Sequence, residues 1–175
     1  MNKKIILLTF AVLAGATAFT QDKLSYTDIV GLQFSQKSVG GLRSMNDGEH
    51  YTALQRGKVV RYSYATGQAL DTIVDMSPFY TSNGGGAVDY QLSADENRVM
   101  IMHHSRPLYR RSQYSRYTVF DRATGEAFPL TDRDSIRTAV FSPAADNVAY
   151  VYNNNIFIKD ITRSEEIAIT SDGRV

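Results

Sequence analysis

Residues 141–170 read FSPAADNVAYVYNNNIFIKDITRSEEIAIT. Apolar and β-branched runs of about four to seven residues alternate there with clusters of Ser, Asp and Asn, the pattern of short strands joined by tight turns. With the residues just before it, the stretch predicts four strands: Arg137 to Phe141, Val148 to Tyr152, Ile156 to Ile161 and Glu166 to Thr170. Asn153-Asn154-Asn155 joins the middle two, because asparagine tolerates the left-handed backbone that a tight hairpin needs.

The same pattern occurs twice upstream, as SMNDGEHYTALQRGKVVRYSYATGQALDTIV from Ser44 and as LSADENRVMIMHH…RYTVFDRATGEAFPLT from Leu92. The turn columns Met45, Ser93 and Ser142 are separated by 48 and 49 residues. The last two strands of the first two units share a turn, Ala65-Thr66-Gly67 and Ala123-Thr124-Gly125. Four strands per unit at this period predict an all-β chain of β-propeller blades, each of four antiparallel strands. An ordinary β-sandwich does not require matched turns at a fixed long period. Propellers close with four to eight blades, so about three blades imply part of a larger propeller.

The units are not equal. From Tyr51 to Gly67 and from Val148 to Ser164 the step is 16 residues, whereas from Val99 to Gly125 it is 26. The extra residues fall in SRPLYRRSQYSRYTVFD, 105–121, which holds Arg106, Arg110, Arg111 and Arg116 among three tyrosines. They predict a loop inserted in the hairpin of the second blade, displayed at one end of the rigid sheets. A guanidinium there suits a carbonyl or carboxylate, since its fork donates two parallel hydrogen bonds. The bland reading is a solvated loop whose arginines pair with acids such as Asp121. Nucleic acid is the weakest reading: the formal net charge is +1 and no basic stripe continues elsewhere.

Of the 175 residues, 43% are hydrophobic and 21% charged, which excludes a disordered or multi-span membrane class. MNKKIILLTFAVLAGATAFT, residues 1–20, has a basic start, a short apolar run and Ala16-Thr17-Ala18 as a cleavage motif. It reads as a signal peptide over 1–18, leaving 19–175 as a partial propeller in a secreted or periplasmic protein. With no cysteine there is neither a lipid-anchoring site nor a disulfide framework, so no membrane anchor is expected after cleavage.

Catalytic and cofactor motifs are sparse. No G-x-S-x-G elbow occurs. The histidines are His50 and the adjacent pair His103-His104; neighbours in a strand point to opposite faces, so this pair predicts packing or surface roles, not a metal site. Asn83-Gly84-Gly85-Gly86 lacks the Lys and Ser/Thr of a phosphate loop and reads as a linker. Glu165-Glu166 sits in the last turn of the third unit, where a charge pair marks solvent exposure. Neither a cofactor nor a metal is expected.

YRRSQYSRYTVFD (109–121), FSPAADNVAYVYNNNIFIKDITRSEEIAITSDG (141–173) and LRSMNDGEHYTAL (42–54) together resemble the N-terminal propeller of dipeptidyl peptidase IV, of the prolyl oligopeptidase group, nearest to secreted enzymes of Bacteroidetes-type bacteria. The resemblance implies an eight-bladed propeller over a C-terminal α/β-hydrolase domain that is absent from this chain. It implies an exopeptidase that removes N-terminal X-Pro or X-Ala dipeptides with a Ser/Asp/His triad in that domain. The family's substrate-carbonyl arginine falls on Arg110 through the Tyr/Trp-Arg-Arg/His-Ser motif; Arg111 occupies the neighbouring, variable position. The family's amine-binding glutamates stand in a later W-x-Y-E-E segment, so Glu165-Glu166 are not their counterparts. The implied partners are a peptide N-terminus, the hydrolase domain and a second copy in a homodimer. On this reading the chain gates and binds substrate without catalysing. The alternative is a non-catalytic periplasmic propeller that binds or scaffolds.

Overall fold

The computed structural model describes residues 24–31, 34, 41–79 and 87–174. The leader over 1–18 and the Asn83–Gly86 linker lie outside the described residues. The chain divides into two units, Met1–Ser38 and Val39–Val175. Among the described residues of the first, a short helix, α1 (Tyr26–Val30), is started by a capping box: the Asp28 amide donates to Ser25 Oγ and the Ser25 amide to Asp28 Oδ2, at 3.1 and 2.9 Å. The blade pattern did not foresee this helix, and none of its residues is buried.

The described residues of the second unit form twelve strands: β1 (Arg43–Ser44), β2 (His50–Gln55), β3 (Lys58–Ser63), β4 (Ala69–Asp75), β5 (Ala87–Leu92), β6 (Arg98–Tyr109), β7 (Ser112–Asp121), β8 (Ala127–Pro129), β9 (Ala139–Phe141), β10 (Asn147–Tyr152), β11 (Asn155–Asp160) and β12 (Glu166–Ala168). They form three four-stranded sheets, β1-β2-β3-β4, β5-β6-β7-β8 and β9-β10-β11-β12, with every described ladder antiparallel. Sequence neighbours are spatial neighbours throughout, so each sheet is a meander. The predicted strands of the third unit agree with β9 to β12 to within two residues at each end.

The repeat is visible in the turns themselves. Between the first two strands of each blade, the amides of Met45, Ser93 and Ser142 donate to the carbonyls of His50, Arg98 and Asn147, at 2.9, 2.9 and 2.8 Å. The left-handed position in that turn is Gly48, Glu96 or Ala145, at φ 71°, 57° and 59°. Before the fourth strand, the amides of Ser63, Asp121 and Asp160 donate to Gln68, Glu126 and Glu165, at 3.1, 2.9 and 2.8 Å. Asp121 and Asp160 each use one side-chain oxygen to accept from the amides two and three residues on, as Asx turns do. The hairpins at Arg56-Gly57 and Asn153-Asn154 have positive φ at both central residues, the mirror-image turn that suits the strand twist.

Period-two alternation in β6 then dictates how the sheets pack. Val99 and Ile101 point to one face and are buried with Tyr90 of the neighbouring strand β5 and with Met45, Val59, Ile73, Val74 and Met76 of the first blade and its connection. Met100 points to the other face and is buried with Tyr117, Val119, Leu130, Ile136, Val148 and Tyr150. The middle sheet is therefore apolar on both sides, one core against each neighbour, which is the face-to-face stacking of blades. Burial of each such side chain contributes about 1.5–3 kcal/mol.

The two remaining faces differ. On the third blade, Val140, Ala149, Ile158 and Ile167 line up across all four strands by register, and Ile167 is 62% exposed. On the first, Tyr51 stacks on Tyr62 and lies against Tyr64, with ring centroids 5.1 and 4.9 Å apart.

Candidate functional site

The inserted residues of the second blade do not form a loop. They continue the ladder of β6 and β7, pairing Arg106 with Tyr114, Pro107 with Gln113 and Tyr109 with Ser112. The result is a two-stranded arm. Among the described residues neither of its strands has an outer neighbour near the tip, so Pro107, which has no amide donor, is tolerated there. Arg110 and Arg111 are the two residues of the terminal turn. Neither is among the residues with positive φ, so the tip turn differs from those of the other two blades.

The structure sorts the four arginines. Arg106 stacks its guanidinium over the Tyr114 ring at 4.5 Å and donates to Ser135 Oγ at 3.1 Å. Arg116 pairs with Asp134 at 3.7 Å. Arg110 and Arg111 are exposed, and among the described residues neither has an ion pair. Tyr109 beside them is 73% exposed. Pairing of the cluster with Asp121 does not occur: that carboxylate takes Arg98, at 3.4 Å. The tip is thus an aromatic ring and two available guanidinium forks, a donor surface for a carbonyl or carboxylate.

At the root of the arm His104 adopts φ 51°, and the register shifts between His103 and Arg106. This bulge overturns the expectation that His103 and His104 point apart. Their Nδ1 atoms meet at 2.7 Å, and His103 Nε2 lies 2.9 Å from Thr118 Oγ1. His103 also packs against Phe79, with ring centroids 4.8 Å apart. Among the described residues no group of three His, Cys, Asp or Glu could hold a metal ion. His103 itself is 7% exposed and in contact with Phe79, the packing role expected of it.

Burial, then the nearby His104 and Arg116, lower the pKa of His103 from 6.5 to about 4. Its neutral form is favoured by folding, so this stability is present above about 6.5 and is lost as pH falls from there toward about 4. Lowering the pH from about 7.5 to about 4.5 is expected to remove on the order of 2 kcal/mol through this ring, after a discount for solvent screening at the arm's root. Urea denaturation of wild type and His103→Gln at both pH values measures it; equal pH slopes in the two proteins would refute it.

A second cluster was not legible in the sequence. Arg133 Nη1 reaches Glu166 Oε1 at 2.7 Å, and the Tyr150 hydroxyl accepts from Arg133 and donates to Glu166. The Arg133 guanidinium also lies 4.1 Å from the centre of the Phe157 ring. Burial and the hydrogen bond to Glu166 push the Tyr150 hydroxyl up to about 12. Glu165 and Glu166 are both exposed residues, as the turn position predicts, but the Glu166 side chain, 22% exposed, is committed to this network. Positions 133, 150 and 166 have no common period, and only the stacking of blade three on the connection before it brings them together.

Three meandering sheets stacked face to face, with an arm on the middle one, define a segment of a β-propeller. Residues 93–175 match the family model of the dipeptidyl peptidase IV (DPP IV) N-terminal region, and this part of the chain belongs to that family. A "Probable dipeptidyl-aminopeptidase B" of Penicillium rubens is 33% identical over 138 residues, which is 74% of this chain and 15% of the fungal protein. The crystal structure of Porphyromonas gingivalis dipeptidyl peptidase 4 aligns with TM-score 0.74 and 31% identity, over 89% of this chain and 23% of that one. TolB from Acinetobacter baumannii, at TM-score 0.50 and 16% identity, shares the fold alone. The chain thus spans a small N-terminal part of the relatives that it matches.

Proposed function

We propose that this chain is the substrate-gating and substrate-binding propeller part of a secreted serine exopeptidase that releases N-terminal X-Pro or X-Ala dipeptides. Catalysis would reside in a C-terminal α/β-hydrolase domain with a Ser/Asp/His triad, the serine activated by histidine as general base. The role of the chain is to hold the peptide. Arg110 donates to a substrate carbonyl, Arg111 beside it is a secondary contact, and a homodimer is the expected assembly.

The observation that carries this reading is the sorting of the arginine cluster. The residue matching the family's substrate arginine is one of the two, at the tip of an arm that only the second of the three blades extends, whose guanidinium has no partner among the described residues. In the full-length protein, Arg110→Ala is expected to lower kcat/KM by about 1.5–3 kcal/mol, the range for a charge-assisted hydrogen bond. Arg110→Lys should recover part of that loss, keeping the charge without the fork. Unchanged peptide kinetics in Arg110→Ala would sink the assignment.

A further inference from the structure

We infer that Asp134, Ser135 and Ile136, in the connection between the second and third blades, act as a strap that fixes the arm and so positions Arg110. The inference rests on the reading of Arg110 as the substrate-carbonyl donor, and it names the residues through which that arginine is held in place.

A two-stranded ribbon alone is marginally stable in water. This one is also interrupted at its root, where the ladder is irregular between His103 and Arg106 and His104 is left-handed. The strap lies at that level. Ser115 and Ile136 form an antiparallel bridge, each amide donating to the other's carbonyl, at 2.8 and 3.1 Å, and both residues are fully buried. Ser105 Oγ and Ser115 Oγ meet at 2.7 Å and close the gap in the ladder from the opposite strand. Arg106 donates to Ser135, and Arg116 pairs with Asp134. Two of the four arginines in the cluster are therefore used to tie the arm down.

The far side of the same connection is hydrogen-bonded to the third blade. The Arg137 amide donates to the Val151 carbonyl and the Val151 amide to the Thr138 carbonyl, both at 3.0 Å. Arg137 Nη1 donates to Asn154 Oδ1 in the β10–β11 turn at 3.2 Å. Five consecutive residues thus bond the arm on one side and a packed blade on the other. The leverage is large: from Ser115 to the tip the arm spans roughly 17 Å at about 3.3 Å per residue, so a swing of about 10° at the root moves the tip by about 3 Å. That is a full hydrogen-bond length.

Asp134 and Ser135 act through the arm and are positioning residues. The test uses Asp134→Ala/Ser135→Gly in the full-length protein, changes on the strap's outer side that leave both apolar cores intact. Amide hydrogen exchange over residues 105–114 is expected to speed up at least about fivefold, with the blade strands unchanged. KM for a dipeptide amide should rise about fivefold with kcat within about twofold. In an Arg110→Ala background the same pair should move KM by less than about 1.5-fold, because the strap acts through Arg110. Unchanged exchange over the arm would overturn the strap. Faster exchange with a KM effect that persists undiminished in Arg110→Ala would overturn the route through that arginine. If Arg110→Ala alone leaves KM untouched, the substrate reading fails, while the exchange result still decides whether the strap holds the arm.

Discussion

Tyr150→Ala is expected to destabilise the protein by about 4 kcal/mol, near the middle of the range for removing a large aromatic side chain from a core. Tyr150 is 1% exposed and stacks on Phe157 with ring centroids 5.4 Å apart. Its truncation leaves a cavity in the core between blades two and three and takes a shared hydroxyl from Arg133 and Glu166. Tyr150→Phe keeps the ring and should cost only about 1 kcal/mol, since the direct Arg133–Glu166 pair survives. The difference separates ring packing from hydroxyl bonding. Urea denaturation of the intact protein measures both, and a loss below about 1.5 kcal/mol for the alanine variant would contradict the described core. The substitution has a consequence at a distance as well: Arg133 immediately precedes the strap, so loosening it should raise exchange in the arm.

Ile101→Ala and Leu130→Ala should each cost about 3 kcal/mol, and the double variant should lose their sum to within about 0.5 kcal/mol. Both side chains are essentially fully buried, but in different clusters on opposite faces of the middle blade. Independent cores predict additivity. A single shared core, as in a two-sheet sandwich, would couple the two cavities, and a coupling above about 1 kcal/mol in the denaturation midpoints would contradict the stacking of three blades.

Much of the fold follows from local chemistry. The Met45, Ser93 and Ser142 turn column repeats with a left-handed residue three positions on, whether that residue is Gly48, Glu96 or Ala145. Glycine at only one of the three shows that the frame of backbone bonds, not the residue type, carries the repeat. The arm was legible as an irregularity of length but not as structure. Strand and loop are decided there by whether Arg106, Pro107 and Tyr109 find partners across the hairpin, and residue composition does not encode that pairing. Likewise, alternation along β6 placed His103 and His104 on opposite faces, and one left-handed residue brought their rings together.

The amino-acid sequence by itself determined the four-strand repeat, its turns, the extra residues of the second blade and the arginine that matches the family motif, because each is written in contiguous residues whose period or spacing is local. Tertiary structure alone decided which arginines of the cluster are tied to the strap, where Glu166 is spent and what holds the arm. Those outcomes depend on contacts between residues such as 106 and 135, or 133 and 166, that become neighbours only when one blade packs against the next.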